Sequence, residues 1–379
     1  MNRIPALRED IARRFPLVPR PTPPCHPLEV RVRQVADLAD TATHSGSDQA
    51  ATSAAQALNF AALIASDCGL PDLAHQLCSR QFVLFHDARP FDAATAKLAL
   101  QPLINLGRLR TRDGDGAAGH HLINTLFTAV RHQAAIRLEG ISADFDGLTR
   151  TPDDHREVVR WLWTVLLTDG TRALARAGHW DQALQHLHDH KGVGHGLLDG
   201  RQIGIIAHHT LGDTRTSDDL LNATPTPTPW EAAVATTLKA LTGHDVPNAT
   251  LTDSYLALDD RSPRQVLFRT RLGLTMLDLA DGEPDRRMDL AIEADALRTK
   301  DAYAARDILI RPSGPPRISP SVQSTLSRLL DASGLGRGTM PPKLLSQITT
   351  TTAAAETSLA EALVADGQVP ENVQSRPWQ

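Results

Sequence analysis

Apolar residues recur along most of the chain at the three- and four-residue spacing of an amphipathic helix. Two such stripes are Leu28, Val32, Val35, Ala39 and Val158, Leu162, Val165, Leu166. Runs that alternate apolar and polar residues, which would predict half-buried strands, are nearly absent. The hydrophobic pattern therefore predicts an all-α protein.

Several helix starts can be read from a hydroxyl residue followed directly by proline. The hydroxyl caps free backbone N–H groups, and proline suits the first helical position because it has no N–H to satisfy. A carboxylate or amide three residues after the hydroxyl completes a capping box in two of these segments. The predicted caps are Thr151, Thr228, Ser262 and Ser319.

Glycines follow several of these apolar stripes at intervals of about 35 residues, which indicates a repeated helical hairpin. A turn between paired helices favours a left-handed residue, and glycine adopts that conformation without steric cost. The glycines in this series are Gly69, Gly107, Gly140, Gly178, Gly212, Gly243 and Gly282. The alternative is an irregular helical domain in which this spacing arises by chance.

The stretch Ala173–Leu184, with its helix–glycine–helix pattern, resembles a tetratricopeptide repeat. The tryptophan, Leu-Gly and tyrosine of the usual first helix are not found together in any unit. The resemblance implies a solenoid of helical hairpins over residues 47–310, with helical caps at 1–46 and 311–367 and a flexible tail at 368–379. It also implies a concave groove that binds a peptide or partner protein.

Composition narrows the class of protein without identifying a ligand. The net charge of −5 argues against a general nucleic-acid-binding surface. No apolar run approaches the roughly 20 residues of a membrane span, and the first residues lack the apolar core of a signal peptide. Three cysteines are too few for a disulfide framework. We expect a soluble cytoplasmic protein that contacts no membrane.

The abundance of alanine, leucine, arginine and aspartate, together with degraded repeats, resembles the sensing halves of actinobacterial regulators. Those proteins usually carry an N-terminal helix-turn-helix, and residues 1–46 are too short and too proline-broken for one. Direct DNA binding is therefore not expected. A recruitment or regulatory role is favoured, and the chain could form a homodimer through its terminal helices.

Two mixed cationic and aromatic stripes are the candidate peptide-binding surfaces. Arginine pairs with carboxylates through two parallel hydrogen bonds, and aromatic rings supply contact area, so the stripes suit an acidic or C-terminal peptide. Their residues are Arg156, Arg160, Trp163 and Arg264, Phe268, Arg271, Thr275. Asn59, His208 and His209 are weaker candidates. An ordinary solvated helix face explains the same pattern about as well.

Histidine is unusually frequent, with 16 copies. His186 and His190 are one helical turn apart and could share a metal, but the glutamate of a His-Glu-x-x-His site is missing. We favour surface positions at a helix C-terminus, and we expect no metal and no cofactor. The alternative function is a peptide-modifying enzyme, for maturation or cyclisation of a ribosomal natural product. In it His186, His190, His208 and His209 would act as acid and base.

The remaining candidate sites are weak. Cys68 and Cys78 fall within helical segments and are expected to be buried, whereas Cys25 could be exposed in a proline-rich segment. The segment 192–196 is rich in glycine but follows a helix rather than a strand, which argues against a phosphate loop. The segment 144–147 lacks the downstream glutamate of a calcium loop and is expected to be a solvated loop.

Overall fold

The computed structural model describes residues 9–280, 285–311 and 317–367. It is 72% helical, so the prediction of an all-α protein is confirmed. No helix in these ranges is long and apolar enough to cross a membrane. The helices are α1 (Glu9–Ala12), α2 (Leu28–His44), α3 (Ser47–Asp67), α4 (Pro71–Ala88), α5 (Ala93–Arg112), α6 (Gly116–Arg131), α7 (Pro152–Val165), α8 (Thr171–Ala177), α9 (Trp180–Asp189), α10 (Asp199–Thr210), α11 (Thr214–Asn222), α12 (Pro229–Leu241), α13 (Asn248–Leu256), α14 (Val266–Leu279), α15 (Arg286–Thr299), α16 (Ala302–Leu309), α17 (Pro320–Ser333) and α18 (Pro342–Gly367). A π-helical turn (Leu166–Gly170) joins α7 to α8, and a 3₁₀ turn (Pro263–Gln265) precedes α14.

Most of the predicted helix caps are present. The Thr151 hydroxyl accepts the backbone N–H of Asp154 at 3.1 Å, and the Ser319 hydroxyl caps α17 in the same way. At α12, the Glu231 carboxylate accepts the Thr228 backbone N–H at 3.1 Å and completes a capping box. Ser262 is the exception, because its side chain makes no cap bond and the helix begins with the 3₁₀ turn instead.

The glycine series is only partly a series of helix ends. The predicted left-handed turn is confirmed where φ is positive after a helix, at Gly69, Gly178, Gly212 and Gly243. The prediction for Gly107 is wrong, because this residue is buried within α5, which continues to Arg112. Gly140 has a positive φ but lies between two strands. Gly282 lies outside the described residues, as do the proline-rich break at 312–316 and the tail at 368–379.

A short β-hairpin, β1 (Ala135–Leu138) and β2 (Ile141–Asp144), departs from the helical prediction. Its antiparallel register pairs Leu138 with Ile141 across a two-residue turn. Both turn residues, Glu139 and Gly140, have positive φ, as tight hairpin turns require. Each strand has only four residues, which is too short for an alternating pattern to stand out in the sequence.

The chain divides into two compact units. Unit 1 comprises the described residues within 1–27, 110–124 and 164–335, and unit 2 those within 28–109, 125–163 and 336–379. The predicted segment boundaries at 46/47 and 310/311 do not coincide with these units. Whether the predicted segments act as repeats and caps stays a prediction.

The core of unit 2 is built around α3, which contacts α2, α4 and α18. Its alanines are buried on more than one face, as expected of a helix that packs against several neighbours. Arg31 and Asp67 form a buried ion pair between α2 and α3. In a linear solenoid each repeat contacts only its neighbours. The contact of α18 with α2, α3 and α4 joins distant parts of the chain, and the solenoid arrangement stays a prediction.

The core of unit 1 is formed by α8 to α17 and by the N-terminal segment that precedes α2. Adjacent helices pair as hairpins, for example α10 with α11 and α12 with α13. The buried Gln202 side chain holds the N-terminal segment by accepting the Leu17 backbone N–H at 2.7 Å and donating to the Leu17 carbonyl at 2.9 Å. This segment is therefore an integral part of the core of unit 1.

Candidate functional site

An open groove in unit 2 brings together one of the two predicted stripes. Helix α7 contributes Arg156, Arg160 and Trp163, with His155 and Val159 beside them. Helix α6 contributes Phe127 and Arg131, which the sequence analysis did not single out. The cavity has a volume of about 450 Å³, which is enough for several side chains of a bound segment.

Charge at this groove is positive and only partly compensated. Arg131 and Arg160 are exposed, and no carboxylate of the described residues forms an ion pair with either. Arg156 pairs with Asp153, but both side chains are mostly exposed, so this ion pair contributes little stability. The side chain of Phe127 is buried and that of Trp163 half-buried, so an apolar wall lies beside the free guanidinium groups.

The other predicted stripe does not form an exposed surface. The expectation that Phe268 is accessible is wrong, because its ring is 8% exposed and packs edge-on against Trp230 with centroids 6.4 Å apart. Thr275 is fully buried. Arg264 is exposed in the 3₁₀ turn, and Arg271 donates to Asp307 at 2.9 Å. The same helical spacing of cationic and aromatic residues therefore occurs in this second stripe, but its aromatic residue, Phe268, is buried in the core.

His186 is buried, so its predicted surface position is wrong. Its Nδ1 lies 3.1 Å from Nε2 of His120, and the two rings meet edge to face. The ring of His190 is also close, with its centroid 4.8 Å from that of His186. His120 belongs to α6, about 66 residues away in sequence, and no local signal joined it to this cluster.

Both ring nitrogens of His186 are engaged, and the partners determine the tautomer. Nε2 lies 3.3 Å from the carbonyl oxygen of Leu166, which can only accept, so Nε2 carries the proton. Nδ1 then accepts from Nε2–H of His120. Burial, and secondarily the neighbouring His120 and His190, lower the pKa of His186 to about 4. His186 is therefore neutral at pH 7 and a weak base.

The weaker candidates have contacts of their own. His208 pairs with Asp213 at 3.0 Å, and His209 is buried in α10, where burial lowers its pKa. In the described part of the chain, no hydrogen bond or ring contact connects either residue with His186. Asn59 accepts from the Asn105 side chain at 2.8 Å. Among the described residues, direct contacts thus do not join the four histidines of the enzyme hypothesis into one group.

The remaining candidates from the sequence are the cysteines, a metal site and the segment 144–147. Cys68 and Cys78 are buried as expected, whereas the expected exposure of Cys25 is wrong, because it is 1% exposed and its backbone N–H is held by Asp301. Among the described residues, no group of three or more histidines, cysteines or carboxylates could hold a metal ion. Asp144 is the last residue of β2, and the chain turns at residues 146–147.

The groove of unit 2 is the arrangement that best joins predicted residues with an accessible cavity. Arg156, Arg160 and Trp163 lie together there, while the buried His186 and the partly exposed His190 belong to unit 1. No protein-family model, curated protein or solved structure matches this chain.

Proposed function

We propose that the protein is a peptide- or partner-binding recruitment module, and that the groove of unit 2 receives an acidic segment of its partner. One observation carries this proposal: exposed Arg131 and Arg160, without ion-pair partners in the described chain, line an open cavity with an aromatic wall. Carboxylates of the bound segment would pair with these two guanidinium groups, and its apolar side chains would contact Phe127 and Trp163.

The proposed location is the cytoplasm. All three cysteines are buried thiols outside any disulfide, which suits a reducing compartment. The same proposal fits a regulatory protein that recruits a partner, as the resemblance to tetratricopeptide repeats implies.

Binding is preferred to catalysis for a chemical reason. A general base needs a ring nitrogen that can accept a proton from the substrate, near the working pH. Both nitrogens of His186 are already hydrogen-bonded, and its low pKa makes it a poor acceptor at pH 7. The peptide-modifying alternative would therefore have to rely on other groups.

Charge reversal at the groove tests the binding proposal. An array of acidic, neutral and basic peptides, each with aromatic residues, would be probed with labelled protein. We expect the acidic set to bind best, and R160E and R131E to weaken that binding by about tenfold or more, since a charge-assisted hydrogen bond contributes about 1.5–3 kcal/mol. W163A should also weaken it.

The matched control is R33E, which reverses an exposed arginine on α2 of the same unit. It changes the net charge equally but leaves the groove intact. Equal loss of binding in R33E and R160E would show a non-specific charge effect. Basic peptides that bind as well as acidic ones would contradict the proposal.

A further inference from the structure

A second cationic cavity lies in unit 1, separate from the groove of the proposed function. Its walls come from the N-terminal segment, α8 and α14, and its volume is about 70 Å³. Five arginines line it: Arg14, Arg20, Arg172, Arg176 and Arg271. The remaining wall is largely apolar and includes Leu267 and Phe268. This space accommodates a group of a few non-hydrogen atoms rather than a peptide.

The carboxylates around this cavity are too few to neutralise the arginines. Four aspartates pair with them. Asp10 lies 4.0 Å from Arg14, and each of the other three is shared by two guanidinium groups: Asp199 by Arg20 and Arg172, Asp278 by Arg14 and Arg311, and Asp307 by Arg271 and Arg306. Asp169 adds a further negative charge near Arg20 and Arg172. Positive charge remains in excess even when that carboxylate is included.

Arg176 carries the clearest uncompensated charge. Across the described residues, no carboxylate lies within 4.0 Å of its guanidinium. The residue is exposed and lines the cavity together with Arg172 and Arg271. Desolvation, followed by repulsion from Arg271 and Arg172, lowers the pKa of Arg176 to about 10. It therefore stays charged at pH 7 in surroundings that disfavour a cation.

We infer that this cavity is a binding site for a phosphate group, with Arg176 and Arg172 as its principal ligands. Guanidinium forks match phosphate oxygens geometrically, and a dianion relieves the repulsion among several arginines better than a single carboxylate would. The small volume and the apolar wall fit a phosphate or a phosphomonoester whose carbon group lies against Leu267 or Phe268.

Calorimetric titration of the full chain at constant ionic strength tests this inference. The probes are inorganic phosphate and O-phosphoserine, with serine, which lacks the phosphate group, as the comparison. We expect saturable binding of both phosphate probes and none of serine. Tighter binding of O-phosphoserine would identify an ester as the natural ligand, and equal binding would identify the free anion. Absence of saturable binding of either probe would overturn the inference.

Two variants locate the binding. R176Q should weaken phosphate binding by about tenfold or more, since it removes a charge-assisted contact with the anion. R176K should bind more weakly than the wild type, because an ammonium cannot form two parallel hydrogen bonds. The control is R215Q, which removes an exposed arginine from α11 of the same unit. Wild-type affinity in R176Q and R176K would contradict the assignment.

Stability without ligand separates a binding role from a structural one. If the role of Arg176 is to bind an anion, R176Q removes an unpaired cation and should raise the melting temperature in phosphate-free buffer. Added phosphate should then stabilise the wild type more than R176Q. A melting temperature that falls in R176Q, together with unchanged phosphate affinity, would show that Arg176 serves the fold and would overturn the proposal.

Discussion

Protonation of His186 should destabilise unit 1 as the pH falls below 7. The side chain is 5% exposed, and its pKa is lowered from 6.5 to about 4, chiefly by burial and then by His120 and His190. The unfolded chain therefore binds more protons than the folded chain between those two values. Stability is greatest above pH 6.5, falls as the pH decreases, and levels off below about pH 4.

The size of this effect follows from the pKa difference. The full shift corresponds to about 3 kcal/mol of unfolding free energy, and about 2 kcal/mol of it should be lost between about pH 7 and pH 5. His120 contributes in the same direction, because burial also lowers its pKa. A loss of this size is a large fraction of the stability of an ordinary domain.

Urea unfolding of the wild type and of H186Q at about pH 7 and pH 5 measures the effect. Glutamine can still donate to the Leu166 carbonyl but does not titrate. The unfolding free energy lost between about pH 7 and pH 5 should therefore be about 2 kcal/mol smaller in H186Q than in the wild type. H188Q is the matched control, because the His188 side chain is 85% exposed on the same helix. The reasoning fails if H186Q and the wild type lose equal stability, or if His186 titrates near pH 6.5 by NMR.

Two further substitutions test the cores of the units. D67N should lower the unfolding free energy by about 3–5 kcal/mol in chemical denaturation, because it leaves the Arg31 guanidinium charged and buried; retained stability would show that water reaches this pair. G200A should lower the melting temperature, with a loss of about 1–3 kcal/mol from overpacking, because an added Cβ would lie 2.1 Å from the Gly192 carbonyl oxygen. G194A, where an added Cβ meets nothing within 4 Å, should be nearly neutral, and equal losses in the two variants would contradict this account.

Helix caps were predictable because they depend on residues close together in the chain. A hydroxyl, a proline and an acid within four positions describe the start of α12 completely, and Glu231 indeed caps Thr228. The same kind of signal failed at Gly107, where α5 continues through a buried glycine. Packing against neighbouring helices outweighs the helix-breaking tendency of one residue, which is about 1 kcal/mol.

The candidate site was likewise only partly predictable from the sequence. Arg156, Arg160 and Trp163 share one face of α7 because of their spacing, and that face was predictable. Phe127 and Arg131, which complete the groove, belong to another helix, and their proximity depends on the fold. Solvent access was equally unpredictable, because Phe268 follows the same spacing rule and is nevertheless 8% exposed.

The sequence by itself determined the helical class, several helix starts and the left-handed glycines, since these depend on hydrophobic period and on local backbone chemistry. Tertiary structure decided which of two similar stripes faces a cavity, which histidine is enclosed and which arginine lacks a carboxylate. The partners of these side chains come from distant segments, such as His120 for His186 and Asp278 for Arg14. Burial and charge compensation depend on all neighbours in space, and neighbours in space are not specified by local spacing.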